Sequence, residues 1–178
     1  CSLKTAASLD GRIALSDRKK RWLTGSKMRR YVHLLRSQAD AIITGVGTII
    51  ADDSQLNCRK EGLENDSPPI FIFDRLLRTP TSAAVLQSPY PVTLFCSEVA
   101  PKKRRQALED AGCVIVLLPD DADGRPDVGA ALHYMGVRGI NHGLVEAGTG
   151  LVTSLLAADA ADCIYWTHSE HILGGDAL

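Results

Sequence analysis

The stretch from Lys4 to Arg59 constrains the fold of this chain more than any other part of the sequence. It predicts a short strand at 3–7, a polar loop, a basic helix capped by Ser26, and a second strand at 41–44. That second strand runs directly into the glycine turn Gly45-Val46-Gly47-Thr48. Two strand ends and a glycine turn so close together are typical of an open α/β sheet, which binds ligands at the carboxyl ends of its strands.

The remainder of the chain alternates between strand-like and helix-like segments. Strands are predicted at 69–73, 92–96, 114–118, 144–146 and 163–167, and helices at 101–111, 128–135 and 151–158. Strands separated by helix-length segments predict the α/β class, with a mostly parallel central sheet flanked by helices on both faces. The 178 residues suit a single domain, and the ends of the chain lead us to expect a segment of a longer product, truncated at the C-terminus.

Composition disfavours several functional classes. The net charge is −1, so no overall positive field attracts nucleic acid or an anionic membrane. No apolar run approaches the roughly 20 residues that are needed to span a bilayer. The five cysteines form no CxxC pair and predict free thiols in a cytoplasmic protein, and the scattered histidines predict no metal site.

A second glycine turn, Glu146-Ala147-Gly148-Thr149-Gly150, joins a predicted strand to a predicted helix. The free N–H groups of a helix start bind anions, so the turn is a candidate pyrophosphate site, although glycine also serves simply to join two elements. It comes too late in the chain for a standard Rossmann fingerprint. Glu146 itself is a candidate to accept hydrogen bonds from a sugar or to relay a proton, and its alternative is a solvated strand end.

Two arginines are candidate anion clamps. Arg36 ends the basic helix and Arg59 follows the acidic pair Asp52-Asp53, so both are placed to reach one crevice mouth, and a guanidinium fits phosphate well. The alternative for each is a plain surface charge. Thr48 is a candidate hydroxyl donor to a phosphate or ribose. No Ser-His-Asp or Cys-His arrangement is suggested, which disfavours nucleophilic catalysis.

Several motifs, taken together, resemble one family. They are Lys4-Thr5-Ala6-Ala7-Ser8-Leu9-Asp10-Gly11-Arg12-Ile13-Ala14, Trp22-Leu23-Thr24-Gly25, Val32-His33-Leu34-Leu35-Arg36, Asp40-Ala41-Ile42-Ile43-Thr44-Gly45-Val46-Gly47-Thr48, Ala51-Asp52-Asp53 and Glu146-Ala147-Gly148. In their order and spacing the chain resembles the reductase domain of the bacterial bifunctional deaminase/reductase of riboflavin biosynthesis, whose fold is dihydrofolate-reductase-like. The similarity is dense up to Arg59 and again from Val145, and thin between 62 and 139.

The resemblance implies an NADPH-dependent oxidoreductase that converts 5-amino-6-(5-phosphoribosylamino)uracil to its ribitylamino product. It also implies a cytoplasmic homodimer whose partner is this small molecule, with no nucleic acid and no membrane. In this interpretation the catalytic residues are Lys4 and Glu146. The implied substrate contacts are Lys20, Arg36, Leu56, Arg59, Glu146 and Asp10. The implied cofactor contacts are Ala6, Trp22, Thr48, Asp52, Arg75, Gly148, Thr149, Gly150, Leu151, Val152, Thr153 and Ser154.

The chain departs from the family pattern at Lys20, where a small or hydroxyl residue is usual, and at Arg75, Ala147 and 168–171. Arg75 suits the 2′-phosphate of the cofactor. Two other interpretations stay open: a dihydrofolate-reductase-like enzyme for another pyrimidine or pteridine, and a ligand-binding relative without turnover. The sequence lacks the zinc-deaminase signature, so that domain either precedes this segment or does not belong to the protein.

Overall fold

Strands and helices alternate through the protein, whose computed structural model describes residues 1–15, 23–63 and 65–175. The strands are β1 (Ser2–Ala7), β2 (Ala41–Gly45), β3 (Ile70–Phe73), β4 (Val92–Ser97), β5 (Val114–Leu118), β6 (Gly143–Val145) and β7 (Cys163–His168). The helices are α1 (Ser26–Ser37), α2 (Val46–Asp52), α3 (Lys102–Asp110), α4 (Val128–Gly136) and α5 (Thr149–Ala157), with a 3₁₀ turn at Ala84–Gln87. The predicted α/β alternation is confirmed, while the 3₁₀ turn was not predicted.

The strands form one seven-stranded sheet in the order β5-β4-β3-β2-β6-β1-β7 within the described ranges. Every pair of neighbouring named strands is parallel. β6 comes late in the chain but lies between β1 and β2, and its Val145 stands opposite both Leu3 and Ile43. All the strands therefore end at one edge of the sheet, called here the carboxyl edge, where open α/β sheets bind their ligands.

Helices cover both faces of the sheet, as predicted. Leu35 of α1, Ile49 of α2 and Leu108 of α3 belong to the core of one face. On the opposite face, Met135 of α4 and Leu155 of α5 pack with a second set of strand side chains. Burying one such side chain contributes about 1.5–3 kcal/mol, so these two cores hold the helices against the two faces of the sheet.

The central strands are buried on both faces, and their sequences show it. β3 reads Ile-Phe-Ile-Phe and all four residues are buried, as expected for a parallel strand covered on both sides. β5 was predicted from an equally apolar run, yet it lies at the sheet edge, where Val114 and Leu117 are exposed. Apolar content alone does not distinguish a central strand from an edge strand.

The predicted helix starts need small corrections. Gly25, not Ser26, is the capping residue of α1, and no side chain caps that end. Pro101 is the capping residue of α3 rather than its first helical residue. α2 begins at Val46, inside the predicted glycine turn, and α5 begins at Thr149 rather than Leu151. α3 ends at Asp110, one residue before the predicted end at 111, and the φ of +88° at Gly112 is the left-handed geometry that favours glycine after a helix.

Candidate active site

Glu146 follows β6 directly and projects from the middle of the carboxyl edge. Its backbone is fixed by β2: the Glu146 N–H donates to the Ile43 carbonyl over 2.9 Å, and the Thr44 hydroxyl donates to the Glu146 carbonyl over 2.7 Å. Val145 packs in the core beneath α4 and α5. Because successive side chains of a strand point to opposite faces, Glu146 is turned toward α1.

Arg36, in the last turn of α1, meets Glu146 in a bidentate ion pair. Its Nε donates to Oε1 over 2.6 Å and its Nη2 to Oε2 over 3.0 Å, while Nη1 donates to the Asn57 carbonyl over 2.9 Å. The two side chains are only 11% and 10% exposed. Two parallel hydrogen bonds between ionised partners are strong and directional, so each side chain holds the other in one orientation.

Lys4 completes the charged cluster from the neighbouring strand. Leu3 pairs with Val145, so Lys4 and Glu146 follow at the same level of the sheet. Burial raises the pKa of Glu146, but the Arg36 guanidinium, through its charge and its hydrogen bonds, and the nearby Lys4 and His33 together hold that pKa below its usual value. Glu146 is therefore an anion at neutral pH and acts as a hydrogen-bond acceptor.

The segment 55–59 adjoins this cluster through the Asn57 carbonyl, which Arg36 contacts. Leu56 is buried and takes a left-handed backbone, with φ of +55°. Arg59 is exposed, and its Nη1 donates to the Gln55 side chain over 2.6 Å. Non-glycine residues in that conformation are strained by about 1–3 kcal/mol and persist only where surrounding contacts fix them.

Sequence reasoning missed His33, which is part of those fixing contacts. The backbone N–H of Arg59 donates to Nδ1 of His33 over 3.1 Å. One signal in the sequence pointed to it: His33 precedes Arg36 by three residues, and side chains at that spacing share a helix face. The buried amide oxygen of Asn57, which has no hydrogen-bond partner, was missed as well.

The first turn of α5 lies beside this cluster. Its capping residue, Gly148, is extended and makes no side-chain cap, and Gly148, Thr149 and Gly150 are all exposed. A Cβ added at Gly148 or Gly150 would meet no atom within 4 Å, whereas one at Gly45 would lie 3.8 Å from Cβ of Leu151. The two glycine turns thus adjoin, and the uncapped N–H groups at the start of α5 are of the kind that binds anions.

The other predicted cofactor residues are spread around the same edge. Ala6 lies near the end of β1, and Thr48 and Asp52 lie in α2. Arg75 follows the end of β3 and donates from Nη2 to Asp120 over 3.2 Å. Val152, Thr153 and Ser154 continue α5, where the Ser154 hydroxyl accepts from Nη1 of Arg125 over 3.1 Å. Their contacts with a cofactor stay predictions.

Asp10 is already engaged by the protein. Its carboxylate accepts hydrogen bonds from the Ser8 hydroxyl and from the backbone N–H groups of Leu173 and Gly174. These bonds, that of Ser8 first, lower the pKa of Asp10 to about 2. They tie the loop after β1 to the segment after β7, and the predicted substrate contact of Asp10 stays a prediction. Lys20 and Trp22 lie outside the described residues.

Two kinds of feature are absent from the ranges that the structure describes. No group of three or more His, Cys, Asp or Glu side chains there is arranged to hold a metal ion. No helix there is long and apolar enough to cross a bilayer.

The family model called RibD C-terminal domain matches residues 1–178, the whole length of the chain. The chain belongs to the RibD C-terminal domain family. Within it, the chain is 28% identical to the 2,5-diamino-6-ribosylamino-4(3H)-pyrimidinone 5′-phosphate reductase of Archaeoglobus fulgidus, over 97% of this chain and 81% of that protein. It is 30% identical to the riboflavin biosynthesis protein RibD of Escherichia coli, over 98% of this chain and 49% of that protein.

Solved structures of RibD share the fold. Acinetobacter baumannii RibD superposes with a TM-score of 0.84 at 31% identity, covering 99% of this chain and 47% of that one. The chain therefore spans about half the length of the RibD proteins that it matches. A pyrimidine reductase-like protein of Corynebacterium diphtheriae has the same TM-score at 18% identity, which shows the fold alone. The dihydrofolate-reductase-like α/β class predicted from the sequence is confirmed.

Proposed function

We propose that this RibD C-terminal domain reduces 5-amino-6-(5-phosphoribosylamino)uracil to the 5-phosphoribitylamino product with NADPH, as a step of riboflavin biosynthesis. The supporting observation is the cluster of Lys4, Arg36 and Glu146 beside the first turn of α5. It sets charges suited to a phosphorylated sugar next to backbone groups suited to a pyrophosphate. Family membership supports the same reaction, since relatives are named as reductases of phosphorylated ribosylamino-pyrimidines and as a riboflavin biosynthesis protein.

In the proposed reaction, bound NADPH supplies a hydride to C1 of the ring-opened, imine-like sugar, whose nitrogen then takes a proton. An ionised Glu146 has no proton to give, so we assign it to accept a hydrogen bond from a ribose hydroxyl. A lysine ammonium carries only donors, and Lys4 is therefore the candidate to hold the proton near the nitrogen. The protein contributes position and charge, and the cofactor contributes the hydride.

The substrate phosphate is assigned to the two arginines, which differ in availability. Three contacts of Arg36 go to Glu146 and Asn57, but a guanidinium has further N–H groups that remain for an anion. Arg59 is exposed, and its Nη1 donates to the exposed side chain of Gln55, a bond that a phosphate can replace. We therefore propose that Arg59 carries most of the phosphate contact, and that Arg36 mainly orients Glu146.

A second substrate is supported by a specific observation. The Archaeoglobus fulgidus relative, of which the chain covers 81%, is named for a diaminopyrimidinone phosphate instead of the aminouracil. The two molecules share the phosphorylated sugar and differ at the pyrimidine ring. We assign the charged cluster described above to the shared part, so we expect it to suit either substrate.

The test is oxidation of NADPH by the purified protein, followed by absorbance, with each of the two pyrimidines and with dihydrofolate. We expect turnover with one or both phosphorylated pyrimidines and none with dihydrofolate. Turnover of dihydrofolate would instead support the alternative enzyme, and NADPH binding without any turnover would support a relative that has lost its chemistry. Replacing NADPH by NADH in the same assay tests the cofactor assignment, because only NADPH carries the 2′-phosphate assigned to Arg75.

We also propose that the protein is a cytoplasmic homodimer. The exposed side chains Ile164 and Trp166 on the edge strand β7 are consistent with a surface covered by a second copy. Light scattering of the purified protein at the concentrations used for the assay measures the mass directly. A mass of one chain throughout that range would remove the dimer from the proposal.

A further inference from the structure

His33 has no role in the function proposed above, yet it sits at the join between α1 and the segment that carries Arg59. The Arg59 N–H donates to His33 Nδ1 over 3.1 Å, and the Cys58 thiol donates to the His33 carbonyl over 3.2 Å. One turn later, Arg36 Nη1 donates to the Asn57 carbonyl over 2.9 Å. Each of the three residues 57–59 is thus bound to one turn of α1.

These bonds hold a segment that would otherwise be free to move. The segment follows Leu56, whose left-handed backbone needs support from its surroundings. It ends at Arg59, which is exposed and has no helix or strand of its own to fix it. Cys58 is buried, and its N–H donates to Ser67 over 2.8 Å, so one end of the support comes from the following loop. For Arg59 itself, the backbone support comes from the imidazole.

We propose that His33 is a positioning residue, whose Nδ1 accepts the Arg59 N–H and so fixes the Arg59 guanidinium at the substrate-phosphate end of the cleft. The inference rests on the proposed function in one respect, that Arg59 contacts the substrate. The hydrogen bond itself does not depend on any ligand. Since Nδ1 is the acceptor, the neutral ring carries its proton on Nε2.

The charge state of the ring decides whether the bond exists. A neutral imidazole has one acceptor nitrogen, whereas a protonated imidazole has none. Burial lowers the pKa of His33, as do the charges of Arg36 and Arg59, while the Asn57 carbonyl and Glu146 partly oppose them. The neutral form is therefore favoured down to a pH below the ordinary histidine value of 6.5. Below the pKa of His33, Nδ1 carries a proton and becomes a donor. Two donors then face each other, so the hydrogen bond from the Arg59 N–H is lost.

The kinetic consequence is a split between KM and kcat. Loss of the bond displaces Arg59 and weakens its contact with the phosphate, while Lys4 stays in place on β1 and Glu146 stays bonded to β2. We expect KM for the phosphorylated pyrimidine to rise as the pH falls through the pKa of His33, with kcat changing little. KM for NADPH should stay constant, because the predicted cofactor residues lie on other elements.

Three variants test this. Asparagine offers an oxygen where His33 offers Nδ1 and does not titrate, so His33→Asn should recover most of the wild-type KM and lose the rise at low pH. His33→Leu offers no acceptor, and we expect its substrate KM to be about fivefold to tenfold higher at neutral pH, the worth of one hydrogen bond. His133→Asn, on the exposed side of α4, is the matched control and should retain both the KM and its pH dependence.

A readout without substrate separates this inference from the proposed function. In the unliganded protein, hydrogen exchange of the Arg59 amide should be slow in the wild type and in His33→Asn, and fast in His33→Leu. Equal exchange in all three would overturn the positioning role, as would a wild-type KM in His33→Leu or a persisting low-pH rise in His33→Asn. If the wild type turned over neither pyrimidine while the exchange pattern held, the proposed function would fail and the His33–Arg59 bond would stand.

Discussion

Arg36 and Glu146 lie 110 residues apart in the chain and meet in a largely buried ion pair. Sequence reasoning selected both, one as an anion clamp and the other as a strand-end carboxylate. It did not pair them, because nothing local indicates that β6 inserts beside β1 and above the end of α1. The pairing changes the interpretation of Arg36. Its guanidinium neutralises and orients Glu146, and only the N–H groups that are not used in these bonds remain for a phosphate.

Substitutions in this ion pair should affect the stability of the protein and its activity differently. Arg36→Met leaves a carboxylate buried without its partner, and we expect a loss of about 3–5 kcal/mol in the free energy of unfolding. The double variant Arg36→Met/Glu146→Leu removes both charges and should regain most of that stability. Replacing a buried ion pair by apolar side chains of similar volume often leaves the free energy of unfolding unchanged. Urea unfolding measures both, and activity should be lost in both variants.

Arg59→Met is the control for this cycle. Arg59 is exposed, so its removal should change stability by less than about 0.5 kcal/mol while raising KM for substrate. A double variant no more stable than Arg36→Met would show that the ion pair is not what the single change disrupts.

Acid stability gives a second prediction for the same residue pair. The pKa of Glu146 is held below 4.5, so the stabilising effect of the pair is complete above that pH and is lost as the pH falls through the folded-state pKa. Asp10, Asp40 and Asp162 also have lowered pKa values and contribute their own acid loss. Between neutral pH and about pH 3, the wild type should therefore lose more stability than the Arg36→Met/Glu146→Leu variant. The urea concentration at the midpoint of unfolding, measured at each pH, follows this loss. If the urea midpoints of the two proteins fell in parallel with pH, the ion pair would not be the source of the acid sensitivity.

At the scale of whole elements, the sequence predicted which segments are strands and which are helices, and in what order. The predictions rested on local information: apolar runs such as Ile-Phe-Ile-Phe in β3, and glycine at the end of α3. Helix starts were less well predicted, since Gly25 and Pro101 cap their helices by backbone conformation and leave no side-chain signature. The order of strands across the sheet was beyond local information, because it is decided by long-range pairing.

The start of α5 provides a prediction at this scale. Gly150 is the second residue of the helix, and an added Cβ would meet no atom within 4 Å. Gly150→Ala should therefore stabilise the protein by up to about 0.5–1 kcal/mol through helix propensity. It should also weaken NADPH binding severalfold, because the methyl group occupies the space through which a pyrophosphate approaches the backbone.

Gly136→Ala is the matched control for that change. Gly136 ends α4, is exposed, and likewise has open space around a built Cβ. It should shift thermal stability without any change in the Kd of NADPH, which fluorescence of the bound nicotinamide measures. If Gly150→Ala stabilised the protein and bound NADPH as tightly as the wild type, the pyrophosphate would have to lie elsewhere.

Over the whole molecule, the parallel sheet is what brings the site together. Parallel strands end at a common edge, so residues after β1, β2, β3 and β6 meet there although they are far apart in sequence. The opposite edge is built differently: the Asp40 carboxylate accepts the N–H groups of Asn141 and His142 over 2.9 and 2.8 Å, and closes the entry to β6. A net charge of −1 provides no long-range attraction, so we expect the local cluster of cations at the carboxyl edge to select the anionic ligands of the proposed reaction.

Because the proposed site lies at the carboxyl edge, ligands should perturb residues at that edge and not at the opposite one. In amide NMR spectra, NADPH should shift resonances of 148–154 and the phosphorylated pyrimidine those of 56–59, with Gly45 and Glu146 responding to both. The adjoining glycine turns are the reason for the overlap, since Gly45 and Leu151 are in near contact. Amides of Asn141, His142 and Asp159, at the far edge, should not move, and dihydrofolate at the same concentration should leave 56–59 unshifted because it lacks the phosphate. Two separate sets of shifts with no shared residue would mean that the ligands occupy different clefts, and a hydride could not pass between them.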